Sequence, residues 1–336
     1  MMADPVLHPR DSYRLADIEA PAQAIAQAAA RGRLHHAWLL TGPEGVGKAS
    51  FAYRVARWLL GAVPDASYGP LGASPDDKVS HLVASQSHPD LMVLEREEGK
   101  KSIPVDEARR LPDFFSTSPA LSPYRVAIVD AADDLNVNAA NAVLKTLEEP
   151  PPRGVLLLVS HAPGRLLPTI RSRCRRLAFN GWDDARLTAF VENRTGLFGD
   201  DAARVVHMAK GAPGRALQLA AGDALAVDAA AQRLLASLPH GDEGQLLALA
   251  DGFRGGEGAN RFSLLFERLA DRVRQAAVQA ALGGAAGEGV EAWATAWERL
   301  EALPARVEAL NLDRADAFYS ALADLRTAAR SAPFPQ

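Results

Sequence analysis

The segment Gly42-Pro-Glu-Gly-Val-Gly-Lys48 sets three glycines and a lysine in a pattern suited to phosphate. Glycines let successive backbone N–H groups converge on an anion, while a helix N-terminus adds partial positive charge and the lysine a full one. Gly42, Gly45, Gly47 and Lys48 are therefore candidates to hold a nucleotide phosphate, and the plainer alternative is a tight glycine turn. A working loop continues with a serine or threonine whose hydroxyl ligates magnesium. Here that position is Ala49, and the hydroxyl of Ser50 comes one residue late, about 100° further around a helix.

Asp130 closes the apolar run Arg125-Val-Ala-Ile-Val129 and has the form of a magnesium-orienting carboxylate. Such a site needs a base beside it to polarise the attacking water. The next residue is Ala131. The two losses remove metal and water activation but leave the glycines and strands intact, so the expectation is a nucleotide-type fold without hydrolysis. For Asp133 and Asp134 a solvated, helix-capping role is the simpler reading. Arg171, Arg173, Arg175 and Arg176 surround the chain's one cysteine, Cys174. A solvated basic face accounts for two or three of them, and Cys174 reads as a small buried apolar residue rather than a reactive thiol.

These groups need a frame. Pro21 to Arg33 is an alanine-rich helix, His36 to Leu40 a short buried strand running into the glycine loop, and the helix after it carries Phe51, Val55, Trp58 and Leu59 on one face. Gly61 to His88 lacks periodicity and reads as an irregular insertion before the strand Leu91–Leu94. Pro104 starts a helix reaching Phe115, Tyr124 to Val129 is a strand, Asn138 to Glu149 a helix stopped by Pro150-Pro151-Pro152, and Gly154 to Ser160 another buried strand. Alternating strands and helices predict an α/β fold with a parallel sheet covered on both faces. Beyond about Phe179 only helical patterns remain, beginning at Asp183–Val191. A soft boundary falls near Pro239, and Phe262, Phe266, Leu269 and Val273 line one face of a long helix.

With 37 Lys and Arg against 41 Asp and Glu, the net charge is −4, too little basic character for the whole chain to hold nucleic acid by its overall field. No apolar run approaches the roughly 20 residues of a membrane span. Met1-Met2-Ala3-Asp4-Pro5 lacks the features of a secretory leader, and one cysteine allows neither an internal disulfide nor a zinc site built from several thiolates; a reducing, cytoplasmic setting is expected.

Asn141-Ala-Val-Leu-Lys-Thr-Leu-Glu-Glu-Pro-Pro151 and Ser172-Arg173-Cys174 resemble motifs of clamp-loader subunits of the AAA+ family. Leu34-His-His-Ala-Trp38, Ser87-His-Pro-Asp90 and Asn311-Leu-Asp-Arg314 extend the likeness over nearly the whole chain. The resemblance implies a nucleotide-binding-type α/β domain (1–179), a small helical lid (180–238) and an all-helical collar (239–336) that assembles a ring. It implies a stator that does not itself hydrolyse ATP, within a DNA polymerase holoenzyme that is a nucleotidyltransferase. Its partners would be gamma or tau ATPase subunits and a delta subunit in a hetero-pentamer, the beta sliding clamp, and primer-template DNA. It also implies that Arg173 reaches across an interface to a neighbour's ATP, that Arg215 in Gly211-Ala-Pro-Gly-Arg215 is a γ-phosphate-sensing lid arginine, and that Ser160 is a polar sensor at a strand end. ATP at a degenerate site stays open. Many such stators carry a four-cysteine zinc module after the phosphate-loop helix; residues 61–90 contain no cysteine, so no zinc is expected, and His81 and His88 read as surface or turn residues.

Two enzyme readings compete. An active AAA+ motor is favoured by Lys48 and Asp130 and opposed by Ala49 and Ala131. A phosphate-loop nucleotide kinase is opposed by the long helical C-terminal half.

Overall fold

In the computed structural model the described residues are 7–97, 100, 102–282, 288–331 and 334. The N-terminal pentapeptide read above for a leader lies outside them, as does most of the Ser331-to-Gln336 end. Contacts divide the chain into two bodies. One comprises the residues up to Gly196 together with Ala209–Gln218, and the other Leu197–Met208 with the residues from Leu219 onward.

The first body alternates helices and strands: α1 (Glu19–Ala30), β1 (Ala37–Thr41), α2 (Lys48–Leu59), α3 (Lys78–Ala84), β2 (Leu91–Glu95), α4 (Val105–Arg109), α5 (Leu111–Ser116), β3 (Arg125–Asp130), α6 (Val137–Glu148), β4 (Gly154–Ser160), α7 (Pro168–Arg173), β5 (Arg175–Ala178) and α8 (Asp184–Thr195). The five strands form one parallel sheet in the order β2-β3-β4-β1-β5. All five residues of β1 and all seven of β4 are buried, as strands covered on both faces must be. Their alternate side chains feed two cores. Trp38, Leu40, Ile128 and Leu157 pack with Phe51 and Val55 of α2, whereas Leu39, Val129, Leu156 and Leu158 pack with Val143, Leu147 and Ile170 of α6 and α7.

Local chemistry sets the ends of these elements. Asn136 caps α6 by accepting from Ala139 N, and Pro150 and Pro151 bar its continuation. Three expectations needed correction. The insertion between 61 and 88 contains the short helix α3, capped by Asp77. The helix expected from Pro104 to Phe115 is two, α4 and α5, parted at Arg110, with Pro112 in the first turn of the second. β5 had no counterpart among the predicted strands.

The remaining helices are α9 (Gly199–Ala209), α10 (Pro213–Ala221), α11 (Ala224–Ala236), α12 (Glu243–Asp251), α13 (Gly258–Leu282), α14 (Glu288–Leu310) and α15 (Arg314–Ser331). Phe262, Phe266, Leu269 and Val273 form the buried stripe of α13, as their spacing predicted. They share one core with Val227, Leu234 and Leu235 of α11, Trp293 of α14, and Phe318 and Leu325 of α15. Beside it Asp228, buried on α11, accepts hydrogen bonds from Arg204, Arg268 and Arg272 at 2.9–3.1 Å. None of the described helices is long and apolar enough to cross a membrane.

Candidate functional site

The residues with phosphate chemistry meet at the C-terminal edge of the sheet, where ligands of parallel α/β sheets bind. β1 runs into Gly42, β3 ends at Asp130 and β4 at Ser160, on three adjacent strands. The loop's shape is glycine-dependent. Gly42 has φ +149° and passes so close to Phe179 that a Cβ would lie 2.2 Å from its carbonyl oxygen. Gly45, at φ +80°, leaves only 2.6 Å between such a Cβ and Arg215 N, and its own carbonyl accepts from Gly214 N at 2.8 Å. The start of α10 is thus seated directly on the loop.

Lys48 is buried and its ammonium is already engaged. Nζ donates to Gly42 O at 2.7 Å and Pro43 O at 2.5 Å, and lies 3.0 Å from His161 Nδ1. Burial pulls its pKa down to about 8, with the carboxylates of Glu44, Asp130 and Asp133 opposing that fall. The same burial pushes Asp130 up to about 6, helped by Glu95 and resisted by Lys48. His161 is lowered by burial and by the adjacent Lys48 charge.

Ser160, fully buried, donates to Asp133 Oδ1 at 3.0 Å, and the other acceptor sites of that carboxylate take His161 N at 2.7 Å and Ala162 N at 3.0 Å. Asp133, partly buried, is spent on these three donors rather than on capping a helix; it ties the turn after β3 to the turn after β4. Sequence reasoning missed it, and missed His161, because both act through partners about 30 or more residues away on other strands. Ala131 is buried beside Asp130. The site thus presents no hydroxyl at Ala49, no base at Ala131, and a lysine bonded to two carbonyls of its own loop and to His161. That donor set lacks the hydroxyl that ligates magnesium and the base that activates water, while keeping the phosphate-facing glycines, Lys48 and Asp130.

The structure gives the arginines different tasks. Arg176 Nε donates to Thr41 Oγ1 at 2.9 Å, and Arg175 lies over the Trp38 ring, 5.0 Å from its centroid. Arg171 is exposed. Arg173, at the end of α7, pairs with Glu148 Oε1 at 3.1 Å and donates to Thr169 O at 3.2 Å. Since Arg175 of β5 pairs in register with Trp38 near the start of β1, Arg173 lies toward the sheet's N-terminal edge. The glycine loop is at the other. Gly42, Gly45, Gly47, Lys48, Asp130, Ser160 and Arg215 are therefore brought together, and Arg173 is not among them. Cys174 packs partly buried against the α6–α7 core, and burial pushes its thiol up to about 12, so it stays protonated.

In residues 61–90, His81 is exposed, but His88 is buried in its turn rather than on the surface. Its Nδ1 accepts from Asp90 N at 3.1 Å and its Nε2 lies 3.2 Å from Ser122 Oγ. Asp90, fully buried, accepts from the backbone N–H groups of Ala120, Leu121 and Ser122. The motif Ser87-His-Pro-Asp90 is thus a clamp on a neighbouring loop. Among the described residues no group of three or more His, Cys, Asp or Glu side chains is arranged to hold a metal.

Residues 19–183 match the family model described as DNA polymerase III, delta subunit. DNA polymerase III subunit delta' of Pseudomonas aeruginosa is 46% identical over 161 residues, 48% of this chain and 48% of that protein. The subunit delta' of Escherichia coli is 33% identical over 218 residues, 65% of this chain and 64% of the relative. The chain thus spans about half to two-thirds of the length of these relatives. A solved gamma subunit-related protein of DNA polymerase III from Thermotoga maritima shares the fold, with a TM-score of 0.51 and 21% identity, over 92% of this chain and 98% of that one.

Proposed function

We propose that this chain, whose residues 19–183 match the family model described as DNA polymerase III, delta subunit, is the delta prime-type stator of a clamp loader. Its task is to complete a hetero-pentameric ring with gamma or tau ATPase subunits and a delta subunit. That ring loads a beta sliding clamp onto primer-template DNA in the cytoplasm. The chain contributes rigidity and an interface rather than turnover.

The observation that supports this most directly is the state of the phosphate loop. A motor must free its lysine for the γ-phosphate, supply a hydroxyl to magnesium and a base to water. Here Lys48 is bonded to Gly42 O, Pro43 O and His161, and Ala49 and Ala131 supply neither group. In this reading Arg173 serves a neighbour's nucleotide, because it stands at the opposite edge of the sheet from the chain's own loop. Planar guanidinium donors hold a γ-phosphate bidentately and stabilise the charge that develops during transfer. No zinc takes part, for want of thiolate ligands. The division into a domain to residue 179, a lid to 238 and a collar beyond is part of the same proposal.

The experiment is reconstitution with gamma or tau and delta subunits, scoring ring formation and clamp loading on primed DNA. A ring that forms and loads only with this chain supports the stator. A ring that assembles and loads equally well without it overturns the reading. The alternative, an active gamma- or tau-like motor, keeps Lys48 and Asp130 in its favour, and ATP turnover by the isolated chain would select it.

A further inference from the structure

We propose that Glu148 is the positioning residue for Arg173, orienting its guanidinium toward an anion held by a neighbouring subunit. The proposal rests on the reading of Arg173 as acting in trans.

Glu148 is the last residue of α6. A carboxylate there faces the partial negative charge of the helix C-terminus, where a cation is preferred, so its place is locally unfavourable. Departures from a local rule concentrate at functional or strained sites. The compensation here is Arg173, whose Nη2 lies 3.1 Å from Glu148 Oε1. A second, independent contact fixes the same group, since Nη1 donates to Thr169 O at 3.2 Å. With one oxygen on each terminal nitrogen the planar fork cannot rotate freely, and its remaining N–H groups stay available to a phosphate.

The backbones beneath this pair are rigidly placed. Leu147, adjacent to Glu148, and Ile170, one turn before Arg173, are buried in the same apolar cluster. Pro150 and Pro151 prevent α6 from extending past Glu148 and shifting the carboxylate. Both side chains stay partly open, 38% for Arg173 and 51% for Glu148. The pair is therefore screened by water and works by geometry more than by energy. It also accounts for the adjoining motifs Asn141–Pro151 and Ser172–Cys174: the first supplies the acid, the second the arginine.

The test is a double-mutant cycle read as steady-state ATPase of the reconstituted ring with clamp and primed DNA. Glu148→Ala should lower kcat by up to about five-fold, the range of an exposed pair, with KM for ATP nearly unchanged. Glu148→Gln, which keeps an acceptor oxygen in place, should recover most of the loss, and Glu148→Asp, a methylene shorter, should not. In the Arg173→Ala background Glu148→Ala should add nothing. Thermal unfolding and ring assembly, compared among the same variants, should be unaltered. If Arg173→Ala lowers turnover but Glu148→Ala does not, or if the two effects multiply, the positioning role is wrong while the stator reading stands. If Arg173→Ala itself matches wild type, both the trans role of Arg173 and the role of Glu148 fail.

Discussion

Asp133 accepts the buried hydroxyl of Ser160 at 3.0 Å, joining the turn after β3 to the end of β4. Because the same carboxylate also takes His161 N and Ala162 N, one side chain sets the position of the segment that carries His161 to Lys48. The position of the histidine that meets Lys48 is thus held partly from outside the loop.

Asp133→Ala should strand three donors at once. Loss of hydrogen bonds to a charged acceptor costs about 1.5–3 kcal/mol each, less whatever water recovers, so a total of about 2–4 kcal/mol is expected. Asp133→Asn, which keeps one oxygen, should lose about half as much. Urea unfolding of the three chains measures both, and equal stability would show that the network is dispensable.

The pH dependence of stability follows from Asp130 and Lys48. Asp130, raised from 3.8 to about 6, holds more protons folded than unfolded between those values. Its contribution is present below about pH 4 and is lost as pH rises through about 6. Lys48, lowered from 10.5 to about 8, holds fewer protons folded, so its contribution is present above the unfolded value and is lost as pH falls through about 8. Asp130→Asn should therefore stabilise the protein near pH 7 by on the order of 1 kcal/mol and have little effect at pH 4. A chemical-denaturation series across pH tests this. A benefit at pH 4 with none at pH 7 would reverse the assignment.

The purified chain should hydrolyse ATP at a negligible rate. Loss of a general base alone costs about 10²–10⁴-fold, and the magnesium hydroxyl is absent as well. Restoring only one group, by Ala49→Thr or Ala131→Glu, should not rescue turnover. Magnesium-dependent release of phosphate that disappears with Lys48→Ala would contradict this.

Asp228→Ala should destabilise the C-terminal helices by about 3–5 kcal/mol, because it leaves Arg204, Arg268 and Arg272 around an empty position. Burial raises the carboxyl's pKa, but hydrogen bonds from Arg268 and Arg204 and the charge of Arg272 outweigh it and hold the group below its ordinary 3.8. The stabilisation is thus present at neutral pH and lost as the solution is acidified through the lowered value. Acid unfolding followed by circular dichroism should start at higher pH in the variant.

Where burial was continuous the sequence was easy to read. β1, β3 and β4 announce themselves as apolar runs, and the glycine loop and Asp130 fall at their ends with the spacing the fold requires. β5 escaped because Arg175-Arg-Leu-Ala178 is half charged and exposed, so no pattern of period two or continuous burial marks it; only its ladder to Trp38 and Leu40 makes it a strand. α3 lay hidden in a stretch rich in glycine, proline and aspartate, where Asp77 was legible as a helix cap only once the helix was seen. The partners of Lys48 were illegible for another reason. Two are carbonyls of its own loop, and the third, His161, lies 113 residues away.

β5 also bears on the sheet's outer edge. A sheet's outer strand exposes unpaired N–H and C=O groups that invite another strand to dock. On this edge Arg175 and Arg176 place two cations within four residues, one stacked over Trp38 and one bonded to Thr41. The strand is short and half charged, both features that make an outer strand a poor template for another chain. Replacing both arginines with valine would give a longer apolar edge and a chain more prone to aggregate.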